Sequence, residues 1–278
     1  MGRELSACQR VERSLLTDFR KPIWRQFLRA VREYRLVEPG DRIAVCVSGG
    51  KDSMLLAKLM QQLQRTPDVP FEAEYLFMDP GYSAAARRQA EETARLLEIP
   101  YKLFDSDVFE AAAVREKNPC FLCARMRRGC LYKAAQRLGC NKIALGHHFN
   151  DVIETTLMSM LYGGQIQGML PMVRARNFPG MALIRPMYRV HEADILAWRD
   201  AHGLAFIQCA CRFAERPDAS KRQAVKRLIE QLKRDNPNVE RNLFGSLHTV
   251  QLDSMPGWKS GGQAHSFLER WEALEGED

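Results

Sequence analysis

The 278 residues carry 41 Lys and Arg against 34 Asp and Glu, a formal net charge of +7, with 46% hydrophobic and 27% charged residues. That is enough chain to bury a core without disulfide or metal staples, and the composition excludes a disordered, collagenous or coiled-coil protein. No run reaches the roughly 18 apolar residues of a membrane helix and residues 1–20 carry charges throughout, so a cytoplasmic protein with no membrane association is expected, its basic balance favouring a polyanionic partner.

In chain order, Leu15, Leu16, Phe19, Ile23, Trp24, Phe27, Leu28 and Val31 recur at helical spacing with arginines between them. Residues 1–40 therefore read as an amphipathic segment of one or two helices. From Arg42 the pattern changes to the unbroken run Ile43–Val47, which suits a central parallel strand covered on both faces. Met54, Leu55, Leu59, Met60 and Leu63 return to the helical period. Strands follow near Ala73–Met78, Tyr101–Phe104, Lys142–Leu145, Ala182–Ile184 and Ala205–Ile207. Helices fall between them at Ala84–Leu97, after Cys123, at Val152–Leu161 and at Ala193–Ala201. Such alternation predicts an α/β fold, a parallel sheet with helices on both faces, whose ligands sit beyond the carboxyl ends of the strands. Gly163–Gly180 reads as a long loop and 251–278 as a flexible tail, leaving 41–250 as the main domain.

The loop after the first strand holds Ser48, Gly49, Gly50, Lys51, Asp52 and Ser53, placed where a helix begins. Unpaired N–H groups and the positive end of the helix dipole meet an anion at such a position. Glycines allow close backbone approach, the serines add donors and Lys51 adds charge, which makes this a nucleotide phosphate site. Asp52 is repelled by phosphate unless it holds magnesium or orients a neighbour. The spacing is not that of a Walker loop.

Eight cysteines with no signal peptide suggest a reducing compartment. Cys46, Cys130 and Cys140 lie in apolar or helical patterns and are expected to be buried. Cys120 and Cys123 form a CxxC pair ahead of a helix, and Cys209 and Cys211 form a CxC pair after the last strand. These supply donors for zinc or an iron–sulfur cluster, with a redox dithiol as the other reading. GHHFND brings Gly146, His147, His148 and Asp151 to another carboxyl-end turn, where Asp151 or His148 can hold a metal ion or the pyrophosphate. Basic clusters at Arg125, Arg127, Arg128 and Lys133 and along Lys221–Arg234 are candidates to meet a polyanion, with solvated helix faces as the other reading.

The string SGGKDS resembles the signature of the PP-loop ATPase superfamily, enzymes that cleave ATP between the α and β phosphates. The resemblance implies a Rossmann-like adenine-nucleotide α-hydrolase fold, with Met78 at the end of the second strand meeting adenine through its backbone. With CxLCxRxRRG, GHHxxD, Tyr162–Gly164, Ile184–Pro186 and a late cysteine before a basic helix, the chain resembles the tRNA 2-thiocytidine synthetase (TtcA) family from about Arg42 to Leu247. That resemblance implies adenylation of the C2 oxygen of a tRNA cytidine, at position 32, with ATP and Mg²⁺. Sulfur then enters through a 4Fe-4S cluster on three cysteines, here Cys120, Cys123 and Cys211. It further implies tRNA and a sulfur donor such as a cysteine desulfurase as partners, and family members are often homodimers. Lys51, Asp52, His148 and Asp151 take the catalytic positions, and Ser48–Ser53, Met78 and Gly146 the nucleotide-binding ones. Three departures stand out: Phe149 and Asn150 before a single Asp151, Arg212 and Phe213 after the late cysteine, and the CxC spacing. The alternatives are a PP-loop sulfurtransferase acting on a uridine or a small metabolite, and a nucleotide-binding regulator stapled by zinc.

Overall fold

The computed structural model describes residues 4–66, 69–105, 119–207 and 221–275, with the backbone alone at 105, 119–124 and 273–275. Strand β1 (Arg42–Val47) lies at the centre of a six-stranded sheet with β2 (Glu72–Asp79), β3 (Tyr101–Asp105), β4 (Lys142–Ala144), β5 (Met172–Arg174) and β6 (Ala182–Ile184) in the order β3-β2-β1-β4-β6-β5. All neighbours run parallel except β5, which pairs antiparallel with β6. Val45 is paired with Tyr75 on one side and Ala144 on the other. The chain leaves β1 toward β2 and returns on its far side at β4. The carboxyl ends of β1 and β4 thus flank a topological switch point, where an open α/β sheet forms a crevice.

The two faces of β1 and β2 follow the strand period of two. Ile43, Val45, Val47, Tyr75 and Phe77 enter one core with α3 (Lys51–Gln64), α4 (Ala84–Leu96) and α7 (Glu192–Ala201). Ala44, Cys46, Leu76 and Met78 enter a second core with Leu131, Tyr132 and Ala135 of α5 (Pro119–Arg137). Helix α6 (Phe149–Gly163) follows β4.

The amino-terminal segment forms α1 (Ala7–Leu16), a π-helical turn (Arg20–Trp24) and α2 (Arg25–Glu33). Val11, Leu15, Phe27 and Val31 pack in the same core as β1 and α3, so these helices are part of the α/β layer structure. Lys58 of α3 is fully buried against α1, its Nζ 2.7 Å from Glu12 Oε1 and 2.8 Å from the Leu97 carbonyl. The sequence reading divides the chain at residues 40 and 250; by packing it divides into Met1–Leu228 and Ile229–Asp278. The second unit takes in the end of α8 (Lys221–Asp235), then α9 (Val239–Ser246), a hairpin of β7 (Gly257–Ser260) and β8 (Gln263–Ser266), and α10 (Leu268–Glu275). The segment expected as a tail therefore carries regular structure as far as residue 275.

Two further expectations change. Residues Ala205–Ile207 form no strand: they run across the loop after β1, with Ile207 N–H on the Gly49 carbonyl (3.3 Å) and Thr93 Oγ1 on the Ala205 carbonyl (3.0 Å). The Gly163–Gly180 loop contains β5, whose three residues are all exposed on the sheet edge and so carry no apolar alternation. Arg185 and Tyr188, after β6, fasten this loop through its backbone by donating to the Leu170 and Met169 carbonyls. No described helix is long and apolar enough to cross a membrane.

Candidate active site at the head of β1 and β4

Gly49 turns the chain out of β1 at φ +78°, and a Cβ there would lie 2.7 Å from both Ala90 Cβ and Ile207 Cδ1. Glycine is required by conformation and by space together. Gly50 caps α3 without a side chain, and Met54 N–H to the Gly50 carbonyl (3.1 Å) is the first bond of the helix. The N–H groups of Lys51, Asp52 and Ser53 precede it and have no intrahelical acceptor, which is the anion-binding arrangement expected of this loop. Ser53, nearly buried, donates to the Gly50 carbonyl (2.9 Å) and accepts from the Ser48 N–H (3.0 Å) and the Ser48 hydroxyl (3.1 Å). Both serine hydroxyls therefore hold the loop's own shape here, where the sequence alone suggested donors for a ligand. Tyr82 adds an unforeseen tie by donating to the Ser48 carbonyl (2.9 Å). Its turn is set by Asp79, which accepts from the Gly81 and Tyr82 N–H groups at 2.8 and 2.7 Å.

Gly146 leads out of β4, and a Cβ on it would come within 3.0 Å of the Asp52 backbone carbon and 3.1 Å of Ser53 N. The two loops are in backbone contact at that point. His148 precedes α6, and its N–H donates to Asp151 Oδ2 (3.0 Å), placing a carboxylate in the first turn where the helix dipole favours it. His148 is buried, with Nε2 3.5 Å from Asp151 Oδ2 and 3.8 Å from Asp52 Oδ1, so one imidazole lies between carboxylates of both loops. Asn150, one of the departures from the family pattern, accepts the Glu192 N–H (2.9 Å) at the start of α7, while Phe149 is buried and stacks on His191 with ring centres 4.0 Å apart.

A ring of ion pairs connects the loops through residues that the sequence did not single out. Lys51 Nζ lies 3.0 Å from both oxygens of Asp52 and 3.1 Å from Glu192 Oε1. Glu192 Oε2 is 2.9 Å from Lys226 Nζ, which is 3.6 Å from Glu154 Oε1. Glu154 Oε2 is 3.5 Å from Arg222 Nε, and Arg222 Nη1 is 2.9 Å from Asp151 Oδ1. His148 closes the ring back to Asp52. Arg222 and Lys226 belong to the basic stretch expected to meet a polyanion; in the structure both are engaged by the site's own carboxylates. Their distance in sequence from SGGKDS is why no motif revealed them.

Burial and pairing split the carboxyls of this ring. Burial pushes Glu154 up to about 7, and the nearby Lys226 and Arg222 only partly offset it. Burial also opposes the charge on Glu192, but hydrogen bonding to Lys226 and the charge of Lys51 outweigh it and hold Glu192 at about 2. For Asp151 the burial penalty is outweighed by His148, His147 and Arg222 and by the His148 N–H, which hold it below the usual carboxylate range. His147 is pushed down to about 4 by burial, with Arg185 and Arg222 adding to the effect and Asp151 opposing it, so it is neutral at pH 7. The Nδ1 atoms of both histidines and Oε2 of Glu154 are buried without a hydrogen-bond partner among the described residues.

Two cavities meet at the loop. One of about 590 Å³ is lined by Gly50, Lys51, Tyr82, Arg127, Arg199 and Phe206; the other, of about 350 Å³, by Met78, Arg127, Arg128, Gly146, His147 and Asp151. Ser48, Gly50, Asp52 and Arg127 border both. The expected phosphate loop, Met78, Gly146 and Asp151 are thus gathered at one crevice, and buried His148 adjoins it through Asp52 and Asp151. Cys120 and Cys123 fall in the first turn of α5, which starts at Pro119 and so includes the pair that the sequence placed ahead of a helix. Their side chains, and Cys209 and Cys211 altogether, lie outside the described residues. Cys8, Cys46 and Cys140 are buried, while Cys130, also expected to be buried, is partly exposed.

The chain is similar to known proteins. The PP-loop domain matches residues 20–216. A protein of Syntrophotalea carbinolica named tRNA-cytidine(32) 2-sulfurtransferase is 39% identical over 80% of the chain and 86% of its own length. One of the same name from Anaeromyxobacter dehalogenans is 36% identical over 87% of the chain and 80% of its own length. Among solved structures, the U34-tRNA thiolase NcsA from Methanococcus maripaludis, with its 4Fe-4S cluster, superposes with a TM-score of 0.64 at 20% identity, covering 85% of this chain and 80% of that one, a likeness of fold. The fold and site define a PP-loop enzyme of the ATP-using class, a transferase. Within that class the chain belongs to the family of the tRNA-cytidine(32) 2-sulfurtransferases.

Proposed function

We propose that the protein uses ATP to thiolate tRNA, activating the C2 oxygen of a cytidine at position 32 and replacing it with sulfur to give 2-thiocytidine. The observation that carries this reading is the meeting of the Ser48–Ser53 loop with Gly146–Asp151 at the switch-point crevice, in a chain whose relatives bear that name. The cytidine oxygen attacks the α phosphorus, pyrophosphate leaves, and sulfide then displaces AMP from C2. The N–H groups at the start of α3 and the Lys51 ammonium hold phosphate oxygens, so catalysis rests on positioning and fixed charge. Met78 borders the adenine side, and Arg127 and Arg128, on the cavity walls, meet phosphates of nucleotide or tRNA. Neutral His147 offers a polar edge inside the smaller cavity without adding charge.

Asp52 and Asp151 face one imidazole, and Mg²⁺ commonly takes one or two carboxylates with phosphate and water completing its shell, so these two would hold it. Among the described residues no group of three or more ligating side chains forms a preassembled metal site. Burial raises the thiols of Cys46 and Cys140, to about 12 and about 11, and also that of Cys8, which disfavours these three as ligands; Cys120, Cys123 and Cys211, the three that match the family's cysteines, would hold a 4Fe-4S cluster. When bound, magnesium would offset phosphate charge and the cluster would supply sulfur. A sulfur donor such as a cysteine desulfurase, a homodimeric state and a cytoplasmic site of action belong to the same reading.

Mass spectrometry of tRNA nucleosides from a deletion strain tests it. Loss of 2-thiocytidine, restored by the wild-type gene and not by Asp52→Asn or Cys211→Ala, is expected. Loss of a thiouridine with 2-thiocytidine intact would overturn the cytidine assignment. One zinc and no iron in anaerobically purified protein would overturn the cluster.

A further inference from the structure

An ammonium has three hydrogens. Those of Lys51 are directed at three carboxylate oxygens, two of Asp52 and one of Glu192, at 3.0, 3.0 and 3.1 Å. One of these contacts has to open before Lys51 can give a hydrogen bond to a phosphate. Asp52 is the adjacent residue and travels with the loop, whereas Glu192 is fixed from α7, its N–H held by Asn150. The second oxygen of Glu192 already rests on Lys226 at 2.9 Å. When Lys51 leaves, Glu192 keeps a cation, and a carboxylate that is only 23% exposed is not stranded without one.

We propose that Glu192 is a positioning residue that holds Lys51 in the nucleotide-free protein and releases it to the phosphates of ATP, with Lys226 retaining Glu192 after the exchange. This rests on the nucleotide-binding reading of the loop. Phosphate and Glu192 compete for the same donor, so the two partners of Glu192 act with opposite signs. Glu192→Gln weakens the competitor and tightens ATP binding. Lys226→Met leaves Glu192 to Lys51 alone and weakens it. A structural role for the same ion pairs would make both substitutions loosen the site together.

Calorimetric titration of the full chain with an ATP analogue uncleavable between its α and β phosphates, and with adenosine, reads this directly. The analogue should bind about three- to fivefold more tightly to Glu192→Gln and about three- to fivefold more weakly to Lys226→Met. Adenosine, which lacks phosphates, should bind all three proteins alike. Equal signs for the two variants, or an adenosine response as large as that of the analogue, overturns the exchange. If Glu192→Gln melts before it can be titrated, Lys226→Met decides by the comparison of ligands: weaker binding of the analogue with adenosine unchanged supports the exchange, and equal losses for both overturn it. Absence of analogue binding by the wild type would instead overturn the nucleotide site itself.

Discussion

The loop after β1 takes its shape from glycine geometry and from serine hydroxyls turned onto the backbone, while the start of α6 after β4 is fixed by charges drawn from α3, α7 and α8. The first arrangement is mostly local: Ser48, Gly50 and Ser53 bond to one another within the loop, and Tyr82 and Ile207 add hydrogen bonds to the Ser48 and Gly49 carbonyls. The second is assembled from residues as far apart as Asp52 and Lys226. A device built from loop backbone and short side chains depends on few residues, whereas an electrostatic one spreads its dependence over several elements and responds to pH.

That contrast can be broken from its strongest point downward. Asp52→Asn should cut pyrophosphate release in the presence of tRNA by about 10² or more, as loss of a charged group at a reacting phosphate does, with the melting temperature nearly kept. A fall of less than tenfold would place Asp52 outside the chemistry. Gly49→Ala meets two side chains at 2.7 Å from a positive-φ position. It should lower unfolding free energy by about 3 kcal/mol in urea titration, and an unchanged midpoint would show that the turn can relax.

The charged loop should answer to pH. Glu154, raised to about 7, binds a proton in the folded protein between the ordinary carboxyl value of 4.5 and 7 that the unfolded chain releases. Stability due to this group therefore falls as pH rises through that window. Glu154→Gln should flatten the dependence of unfolding free energy on pH between about 5 and 7; a steeper dependence would contradict the raised value. The smallest effect is expected at Ser53→Ala, which removes one donor and leaves the Ser48 N–H without its acceptor. About 1 to 2 kcal/mol of stability should be lost, with weaker nucleotide binding, and rescue by Ser53→Thr would separate the hydroxyl's role from packing.

Much of this architecture was legible beforehand. The run Ile43–Val47 identified the central strand because it is covered on both faces, and SGGKDS after it located the crevice. Strand β5 escaped because an exposed three-residue edge has no apolar alternation, and Ala205–Ile207 misled because three extended residues bonded to a loop have the composition of a strand. Glu154, Glu192, Arg222 and Lys226 could not be assigned to the site because charge pairs across helices leave no spacing rule. Read in isolation, Arg222 and Lys226 were a basic helix face.

The fastening of the Gly163–Pro171 stretch has a consequence for how this surface can diversify. Arg185 and Tyr188 grip main-chain carbonyls, while Ile166 and Leu170 point outward at 58% and 62% exposure. Main-chain carbonyls are the same whatever side chain follows. The outer lettering of the stretch can thus drift among related proteins while its path stays fixed, so that a new contact surface can be acquired one substitution at a time without refolding the loop that displays it.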